Sequence, residues 1–257
     1  MQSLADIVPD GVHRIKFARS PDGHLAAWGE VREGRMLIAL RRRSRDGAWS
    51  KVQKLDFGDA AQYFDPAISS DGRTLAFFSD RAGGFGGMDI WVSAIDPNSL
   101  EIGSPRNAGA TINTPGDEWA PGWSPDGTFL FSSDGRDTAG GHALFLAETA
   151  RGSFGEARKL AGSLDSWQDD FDATFVDGET IVFSRGDAQK GPVQLFITRR
   201  VGGEWDLPQK LSATINCSDF VLGPAQIEHT FVWSARCDGD AAISVHAIES
   251  SLLSIEQ

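Results

Sequence analysis

Several acidic residues stand at similar places in the sequence, each just before an apolar run that predicts a short β-strand. Asp65, Glu118, Asp170 and Asp219 hold these places, and Asp172 follows Asp170 closely. Carboxylate oxygens are the ligands that Ca²⁺ and Mg²⁺ prefer. Neighbouring carboxylates also raise one another's pKa, which suits one of them to act as a general acid. The first four are therefore the candidate metal ligands and, if the protein is an enzyme, the candidate catalytic residues.

Two cations interrupt this acidic series near the start of the chain. Bulky apolar residues alternate with the polar ones, as expected for strands with one packed face and one open face. A ring of such strands would form an acidic channel mouth for a polar ligand. Its predicted contact residues are Arg14, Lys16, Tyr63, Asp65, Glu118, Trp119, Asp170, Asp172 and Asp219.

The same carboxylates also have a purely structural interpretation. An arginine recurs further along each of these segments, where it can pair with an acid of its own sheet or of the next one. These arginines are Arg32, Arg81, Arg136, Arg185 and Arg236. Such a lattice would hold sheets together without binding a ligand, and a fold alone does not imply a function. Both interpretations stay open from the sequence.

Internal repeats indicate how these residues are positioned. A Ser-x-Asp-Gly turn motif recurs with its aspartate at Asp22, Asp71 and Asp126, and a degraded copy contains Asp177, giving steps of 49, 55 and 51. A Lys-Leu marker and a Gly-x-aromatic marker recur with the same period. A repeat of this length indicates a solenoid, a propeller or an array. The length of 257 residues accommodates five such units.

Each unit predicts four short strands, in the third unit at 118–124, 128–133, 143–148 and 156–161. Four strands per unit are typical of a propeller blade. The sequence thus predicts an all-β, five-bladed propeller of four-stranded antiparallel blades, which forms a single domain over 1–257. The predicted units are 9–60, 61–115, 116–166, 167–217 and 218–257, with 2–8 as the outer strand of the last blade. That strand would close the ring and cover a sheet edge.

A glycine-rich loop and a histidine in the corresponding region carry weaker signals. The loop 83–87 lacks the Lys-Ser/Thr of a phosphate-binding loop, so we expect a plain connection whose ends, Arg81 and Asp89, form a salt bridge. His142 holds the place of Asp89 in the third unit, where we expect a surface residue rather than a ligand. The sequence contains no Gly-x-Ser-x-Gly and no His-Glu-x-x-His motif.

The two cysteines lie around the first two predicted strands of the fifth unit. Cys217 precedes the first strand and Cys237 follows the second. Those two points lie at the same end of a blade, so a disulfide is geometrically reasonable, and the Cα separation decides it. A disulfide would indicate a periplasmic or secreted protein, and two free thiols would indicate a cytoplasmic one.

The composition excludes several partners. The net charge of −12 argues against nucleic acid and against anionic membrane surfaces. No apolar run is long enough to span a membrane, and no basic-then-apolar leader opens the chain. We expect a protein without membrane insertion, and a monomer.

The second unit resembles a known repeat family. From residue 64 it runs Phe-Asp-Pro-x-x-Ser-Ser-Asp-Gly-Arg-x-Leu-Ala-Phe-x-Ser-Asp-Arg, and Asp-Ile-Trp follows at 89–91. Residues 119–127, Trp-x-Pro-Gly-Trp-Ser-Pro-Asp-Gly, repeat its first half. This pattern resembles the PD40 (TolB-type, WD40-like) β-propeller repeat. The resemblance departs from TolB itself, which has six blades and a further N-terminal domain, so TolB's partners are not carried over.

The resemblance implies a fold more firmly than a function, because the family includes envelope proteins, propellers of serine peptidases and polysaccharide lyases. We predict a ligand- or partner-binding module of bacterial envelope type, for a protein, peptide or glycan, located in the periplasm or secreted. The alternative is a glycan-active hydrolase or lyase that uses the carboxylate ring, with Ca²⁺ as the one cofactor the residues suggest.

Overall fold

Short antiparallel strands follow one another along the chain in the computed structural model, which describes residues 14–136, 140–150, 152–162, 168–187, 189–237 and 244–256. These segments contain no α-helix, and their 3₁₀ turn is Ser250–Leu252. No helix in them could cross a membrane. The predicted all-β class is confirmed.

The first two sheets each contain four strands in chain order. The strands of the first sheet are β1 (Arg14–Arg19), β2 (Leu25–Arg32), β3 (Arg35–Arg42) and β4 (Gln53–Lys54). The strands of the second sheet are β5 (Tyr63–Ile68), β6 (Thr74–Ser79), β7 (Asp89–Ala94) and β8 (Arg106–Asn107).

The next two sheets keep this order and add short outer hairpins. The third sheet contains β9 (Glu118–Trp123), β10 (Phe129–Ser133), β11 (Ala143–Ala147) and β14 (Arg158–Lys159). Beside it lies a hairpin of β12 (Thr149–Ala150) and β13 (Ser153–Phe154). The fourth sheet contains β15 (Asp169–Asp177), β16 (Thr180–Gly186), β17 (Val193–Val201), β18 (Glu204–Trp205) and β19 (Gln209–Lys210).

The fifth sheet has three strands among the described residues, β20 (Val221–Ile227), β21 (Thr230–Ala235) and β22 (Ser244–Glu249). The first strands of the five sheets pack side by side, and β20 also packs against β1. The five sheets therefore form a closed ring, a five-bladed β-propeller whose central channel is lined by β1, β5, β9, β15 and β20. The predicted blade number is confirmed.

The core lies between neighbouring blades. Leu25 and Phe77 belong to one cluster that joins the first two blades, and Ile90 packs with Phe129 between the second and third. Phe17 of the first blade packs against apolar residues of the fifth, where the ring closes. These hydrophobic contacts between facing sheets hold each blade to the next.

The Ser-x-Asp-Gly motif forms the turn between the first two strands of a blade. In the second blade the Ser69 hydroxyl donates to Asp71 Oδ1 (2.6 Å), and it accepts from Thr74 N (2.9 Å). Gly72 N donates to Ser69 O (2.9 Å), and Gly72 has φ of +69°, which favours glycine. The first and third blades repeat this arrangement, so the marker is a local hydrogen-bonded turn.

The predicted outer strand of the last blade, 2–8, lies outside the described residues. The C-terminal residues pair with the outer edge of the fourth blade. Ile255 forms an antiparallel bridge with Leu211, and Glu256 N donates to Lys210 O (2.9 Å). The end of the chain is thus fixed against the ring.

A disulfide joins Cys217 and Cys237, whose Cα atoms are 5.1 Å apart. Cys217 lies before β20, and Cys237 follows β21. Both half-buried sulfurs pack against the apolar cluster between the fourth and fifth blades.

Removing this crosslink should destabilise the protein. For a sequence separation of 20 residues, loop-closure entropy predicts that replacing both cysteines with serine lowers the free energy of unfolding by about 3 kcal/mol. Urea unfolding of both proteins with and without dithiothreitol measures this. The reductant should shift the wild-type midpoint and leave the double variant unchanged. Equal midpoints for the wild type and the double variant in the absence of dithiothreitol would contradict the prediction.

Candidate functional site

Each innermost strand carries a β-bulge at the same level of the channel. The residue at each bulge has a positive φ, between 41° and 64°. These residues are Lys16, Asp65, Ala120, Asp172 and Gly223. Left-handed backbone is unfavourable for residues with a side chain, and it persists where the surrounding structure holds it. A bulge also interrupts the regular alternation of side chains along a strand, so it changes the direction in which the side chain at the bulge points.

Three of these bulge side chains meet and form what we call the channel cluster, Lys16, Asp65 and Asp172. Asp65 is buried, with 6% of its surface exposed, and it shares a hydrogen bond with Asp172. Burial and the charge of Asp172 raise the pKa of Asp65 to about 8, and the Lys16 ammonium opposes this rise. Asp65 is therefore protonated at neutral pH, with a proton available between two carboxyl groups.

Lys16 connects the cluster to the fourth blade. Its Nζ donates to the Ala173 carbonyl oxygen (3.4 Å) across the channel, from the first blade to the fourth. The two remaining bulge positions carry no polar side chain, because they are Ala120 and Gly223. The middle of the channel is thus polar on three blades and small on two.

A cavity of about 390 Å³ lies next to the channel cluster. All five blades contribute to its wall, which contains Lys16, Pro66, Gly122, Ala173 and Gln226. It extends along the innermost strands to the turns that follow them. At its rim, Arg19 of the first blade pairs with Glu228 of the fifth (2.8 Å), and other lining residues include Phe17, Arg43, Trp123, Thr174 and Phe175. The cavity therefore lies towards the opposite end of the strands from the predicted channel mouth.

Two residues predicted at that mouth, Tyr63 and Glu118, are buried inside their own blades. The Tyr63 hydroxyl donates to the Asp59 carboxylate, which also pairs with Arg81 (3.1 Å). Glu118 accepts hydrogen bonds from Thr114 N (2.9 Å), Thr114 Oγ1 (2.6 Å) and Ser133 Oγ (2.6 Å). Burial raises the pKa of Glu118, and these hydrogen bonds oppose the rise. Neither side chain lines the cavity.

Asp170 is also fully buried, and it forms a two-pronged ion pair with Arg185. Arg185 Nε lies 2.7 Å from Oδ1 and its Nη2 lies 2.9 Å from Oδ2. The guanidinium also lies over the rings of Phe183 and Phe196. The structural interpretation therefore describes Asp170, and Arg81 of the second blade likewise pairs with an acid, Asp59. Arg136 of the third blade instead donates to the carbonyl oxygens of Thr111 and Ile112. Arg32 and Arg236 are exposed.

The remaining predicted residues lie elsewhere. Asp219 precedes β20 by two residues and is exposed, and Val221 takes the place that Tyr63 has in the second blade. Arg14 begins β1, and its side chain lies outside the described part of the chain. Trp119 stacks on His142, with ring centroids 3.6 Å apart. The four predicted metal ligands form no common ligand group among the described residues, where Asp117, Asp134 and His142 form one instead.

The predicted Arg81–Asp89 salt bridge is wrong, because Arg81 pairs with Asp59. The buried Asp89 instead accepts from the backbone of the glycine-rich loop, at Phe85 N (3.0 Å) and Gly86 N (3.3 Å). A Cβ on Gly84 would lie 2.0 Å from Asp89 Oδ2, so the loop needs glycine to wrap this carboxylate. The Asp89 side chain therefore already occupies the loop.

Solved structures with this fold are distant in sequence. Putative TolB from Agrobacterium tumefaciens matches with a TM-score of 0.57 and 20% identity, over 93% of this chain and 77% of that one. TolB from Acinetobacter baumannii matches with a TM-score of 0.56 and 16% identity, over 93% of this chain and 52% of that one. A Hadza microbial sialidase matches with a TM-score of 0.55 and 12% identity, over 93% of this chain and 56% of that one. The chain thus spans about half the length of the last two.

These likenesses show the propeller fold, shared with TolB and other β-propeller proteins. No protein-family model matches the sequence, and no curated protein matches it. Membership of the PD40 repeat family therefore stays a prediction. The site must be interpreted from its own geometry, because identities of 20% and below carry no function across.

Proposed function

We propose that the chain is a binding module that takes a polar peptide segment of a partner protein into the central cavity, next to the channel cluster. The observation that carries the proposal is the cavity itself, which all five blades line and which ends beside Lys16. Its volume of about 390 Å³ is in the range of ligand sites. A site made by five blades is rigid, so it binds without a large ordering cost.

The chemistry of the lining suits a peptide. The wall combines Phe17, Trp123 and Phe175 with prolines and with backbone groups of the innermost strands. The lining residues Lys16 and Arg43 supply donors, and Asp22 and Gln226 supply acceptors, whereas Asp65 lies beside Lys16 and outside the lining. A peptide presents both kinds of group along its backbone. A glycan has the same capacity and is the competing outcome of the test below.

The channel cluster also supports a second candidate function, a hydrolase or lyase. Asp65 with its raised pKa is suited to donate a proton, and Asp172 beside it is suited to act as base. The predicted ring of four carboxylates does not support it, because Glu118 and Asp170 are occupied by their own blades. The alternative therefore depends on this pair alone.

We also propose that the protein works in the periplasm or outside the cell. The Cys217–Cys237 disulfide supports this, because disulfides persist in oxidising compartments and are rare in the cytoplasm. The fold likeness to TolB is compatible with the same compartment.

Selection from a phage-displayed random peptide library tests the binding proposal. We expect a consensus peptide whose affinity falls at least tenfold in Lys16→Gln, which loses the charged donor of the lining, and in Asp65→Asn, which removes the carboxyl group beside that ammonium. Asparagine tolerates left-handed backbone, so Asp65→Asn should keep the fold. Glu179→Gln, on the exposed β15–β16 turn, is the control and should bind as wild type.

Two other outcomes would overturn the proposal. Peptides that bind all cavity variants equally would place the binding surface on the outside of the ring. Turnover of nitrophenyl glycosides or esters that Asp65→Asn and Asp172→Asn both abolish, with substrate binding retained, would favour the enzyme.

A further inference from the structure

We propose that the chain binds one divalent transition metal of the zinc class at a site formed by Asp117, Asp134 and His142. One potential ligand atom from each residue lies within 4.8 Å of those of the other two. Asp117 directly precedes β9, Asp134 directly follows β10 and His142 directly precedes β11, so the third blade brings them to one end. This end is opposite the turns that surround the central cavity.

The setting of His142 points to a metal ligand. Its side chain is 6% exposed, and its Nδ1 lies 3.0 Å from Asp169 Oδ1, on the fourth blade. Its Nε2 is buried and has no hydrogen-bond partner among the described residues. A histidine whose one nitrogen donates to a carboxylate presents a lone pair at the other, as metal-bound histidines do. A buried nitrogen without a partner is unfavourable, and a metal ion would provide one.

The imidazole is also fixed in orientation. Trp119 stacks on one face of the ring, with the two planes at 22°. His142 N donates to the same Asp169 oxygen (3.0 Å), so backbone and ring are held by one carboxylate. A ligand held this way needs little rearrangement to bind an ion.

The two aspartates are positioned by backbone donors. Asp117 Oδ1 accepts from Met88 N (2.7 Å), and Asp134 Oδ1 accepts from Asp117 N (2.7 Å). Glycines make room for both carboxylates, since a Cβ on Gly87 would lie 2.2 Å from Asp117 Oδ1 and one on Gly116 would lie 2.3 Å from Asp134 Oδ1. Both carboxylates are half-buried, and each places one oxygen in the three-residue group.

The donor set selects the class of metal. One imidazole nitrogen with two carboxylates suits Zn²⁺ and its neighbours in the first transition row. Ca²⁺ takes six to eight oxygen ligands, so three residues with one nitrogen disfavour it. The ion would connect the third blade to Asp169 of the fourth through His142. The expected result is a more stable ring, independent of ligand binding in the cavity.

Metal binding to the full chain, purified without a polyhistidine tag and stripped with EDTA, tests the proposal. We expect one equivalent of ZnCl₂ to bind by titration calorimetry, and CoCl₂ to give a visible absorption band. At a hundredfold excess over Kd, zinc should raise the Tm by about 5 °C or more. CaCl₂ should leave the Tm unchanged.

Matched variants make the result specific. Asp117→Asn and His142→Gln should each abolish the zinc-dependent rise in Tm, and His24→Gln, at an exposed histidine, should keep it. Circular dichroism shows whether each variant folds, and Asp134→Asn gives a further isosteric variant if His142→Gln does not. A zinc effect that survives Asp117→Asn and Asp134→Asn, or no zinc effect on the wild type, would overturn the proposal.

Discussion

Asp170→Ala should lower the free energy of unfolding by about 3–5 kcal/mol, as expected when one partner of a buried ion pair is removed. Asp170 is fully buried and Arg185 is 14% exposed. In the variant the guanidinium stays over the rings of Phe183 and Phe196 without its counter-ion. It keeps a hydrogen bond to the Gly162 carbonyl oxygen (3.0 Å), which replaces only part of the interaction.

An exposed pair of the same geometry provides the control. Arg200 contacts Glu179 with two hydrogen bonds of 2.8 and 2.9 Å, and both side chains are open to solvent. Because solvent screens such pairs, Glu179→Ala should leave the urea midpoint nearly unchanged. The double variant Asp170→Ala/Arg185→Ala should lose less stability than the two single variants added together, because it leaves no unpaired buried charge.

The same experiment separates the two interpretations of Asp170. If its main role is to hold the fourth blade, Asp170→Ala loses stability and the folded fraction still binds the cavity ligand. A variant as stable as Glu179→Ala that no longer binds the selected peptide would contradict the structural role. Asp170 would then be a residue that contacts the ligand, as the sequence predicted.

The fold could be predicted because its markers are local. The Ser69–Asp71 turn closes through hydrogen bonds within a few residues, so its sequence motif reports the structure wherever it recurs. The alternation of apolar residues between such turns then predicts the strands. A pattern that recurs every 49 to 55 residues in a chain of 257 leaves few architectures other than a ring of blades.

The candidate site was harder to predict, because a bulge breaks the alternation on which the prediction depended. Period-two alternation puts Tyr63 with Asp65, and Asp170 with Asp172, on one open face. The bulge between them instead directs Tyr63 and Asp170 into the blades and Asp65 and Asp172 into the channel. Positive φ at aspartate or lysine has no sequence marker comparable to glycine in a turn.

The prediction at Asp219 was misplaced for a related reason. The fifth unit lacks the Asp-Gly turn that follows the first strand in the other units. Glu228, with φ of +54°, forms the turn after β20 instead. The first strand therefore begins two residues after Asp219, at Val221. The burial of His142 was missed because its partner Asp169 belongs to the next unit, 27 residues away.

The stability of the protein should fall as pH rises from about 4 to about 8, through the titration of Asp65. The folded state holds the Asp65 proton up to a pKa of about 8, and the unfolded state releases it near the ordinary value of 3.8. The folded state therefore binds more protons in this range, and each unit of pH removes at most about 1.4 kcal/mol. The stabilisation that comes from the Asp65 proton is complete below about pH 4 and is lost above about pH 8.

Asp65→Asn isolates this effect from every other titrating group. Asparagine stays neutral at all pH values and tolerates the left-handed backbone at this bulge. Near pH 4 the free energy of unfolding of the variant should equal that of the wild type or lie slightly below it. Near pH 9 it should be higher than that of the wild type by about several kcal/mol, because the variant avoids a buried charge beside Asp172. Urea unfolding of both proteins at intervals across this range gives the difference directly.

The control is Asp219→Asn, at an exposed carboxylate, whose stability curve should run parallel to that of the wild type. Parallel curves for Asp65→Asn as well would mean that Asp65 ionises normally in the folded protein. The result also bears on the cavity, because the Asp65 proton lies beside Lys16, which lines it. If that proton contributes to peptide binding, affinity should fall above pH 8 in the wild type. In Asp65→Asn, whose side chain does not titrate, the lower affinity should stay constant with pH.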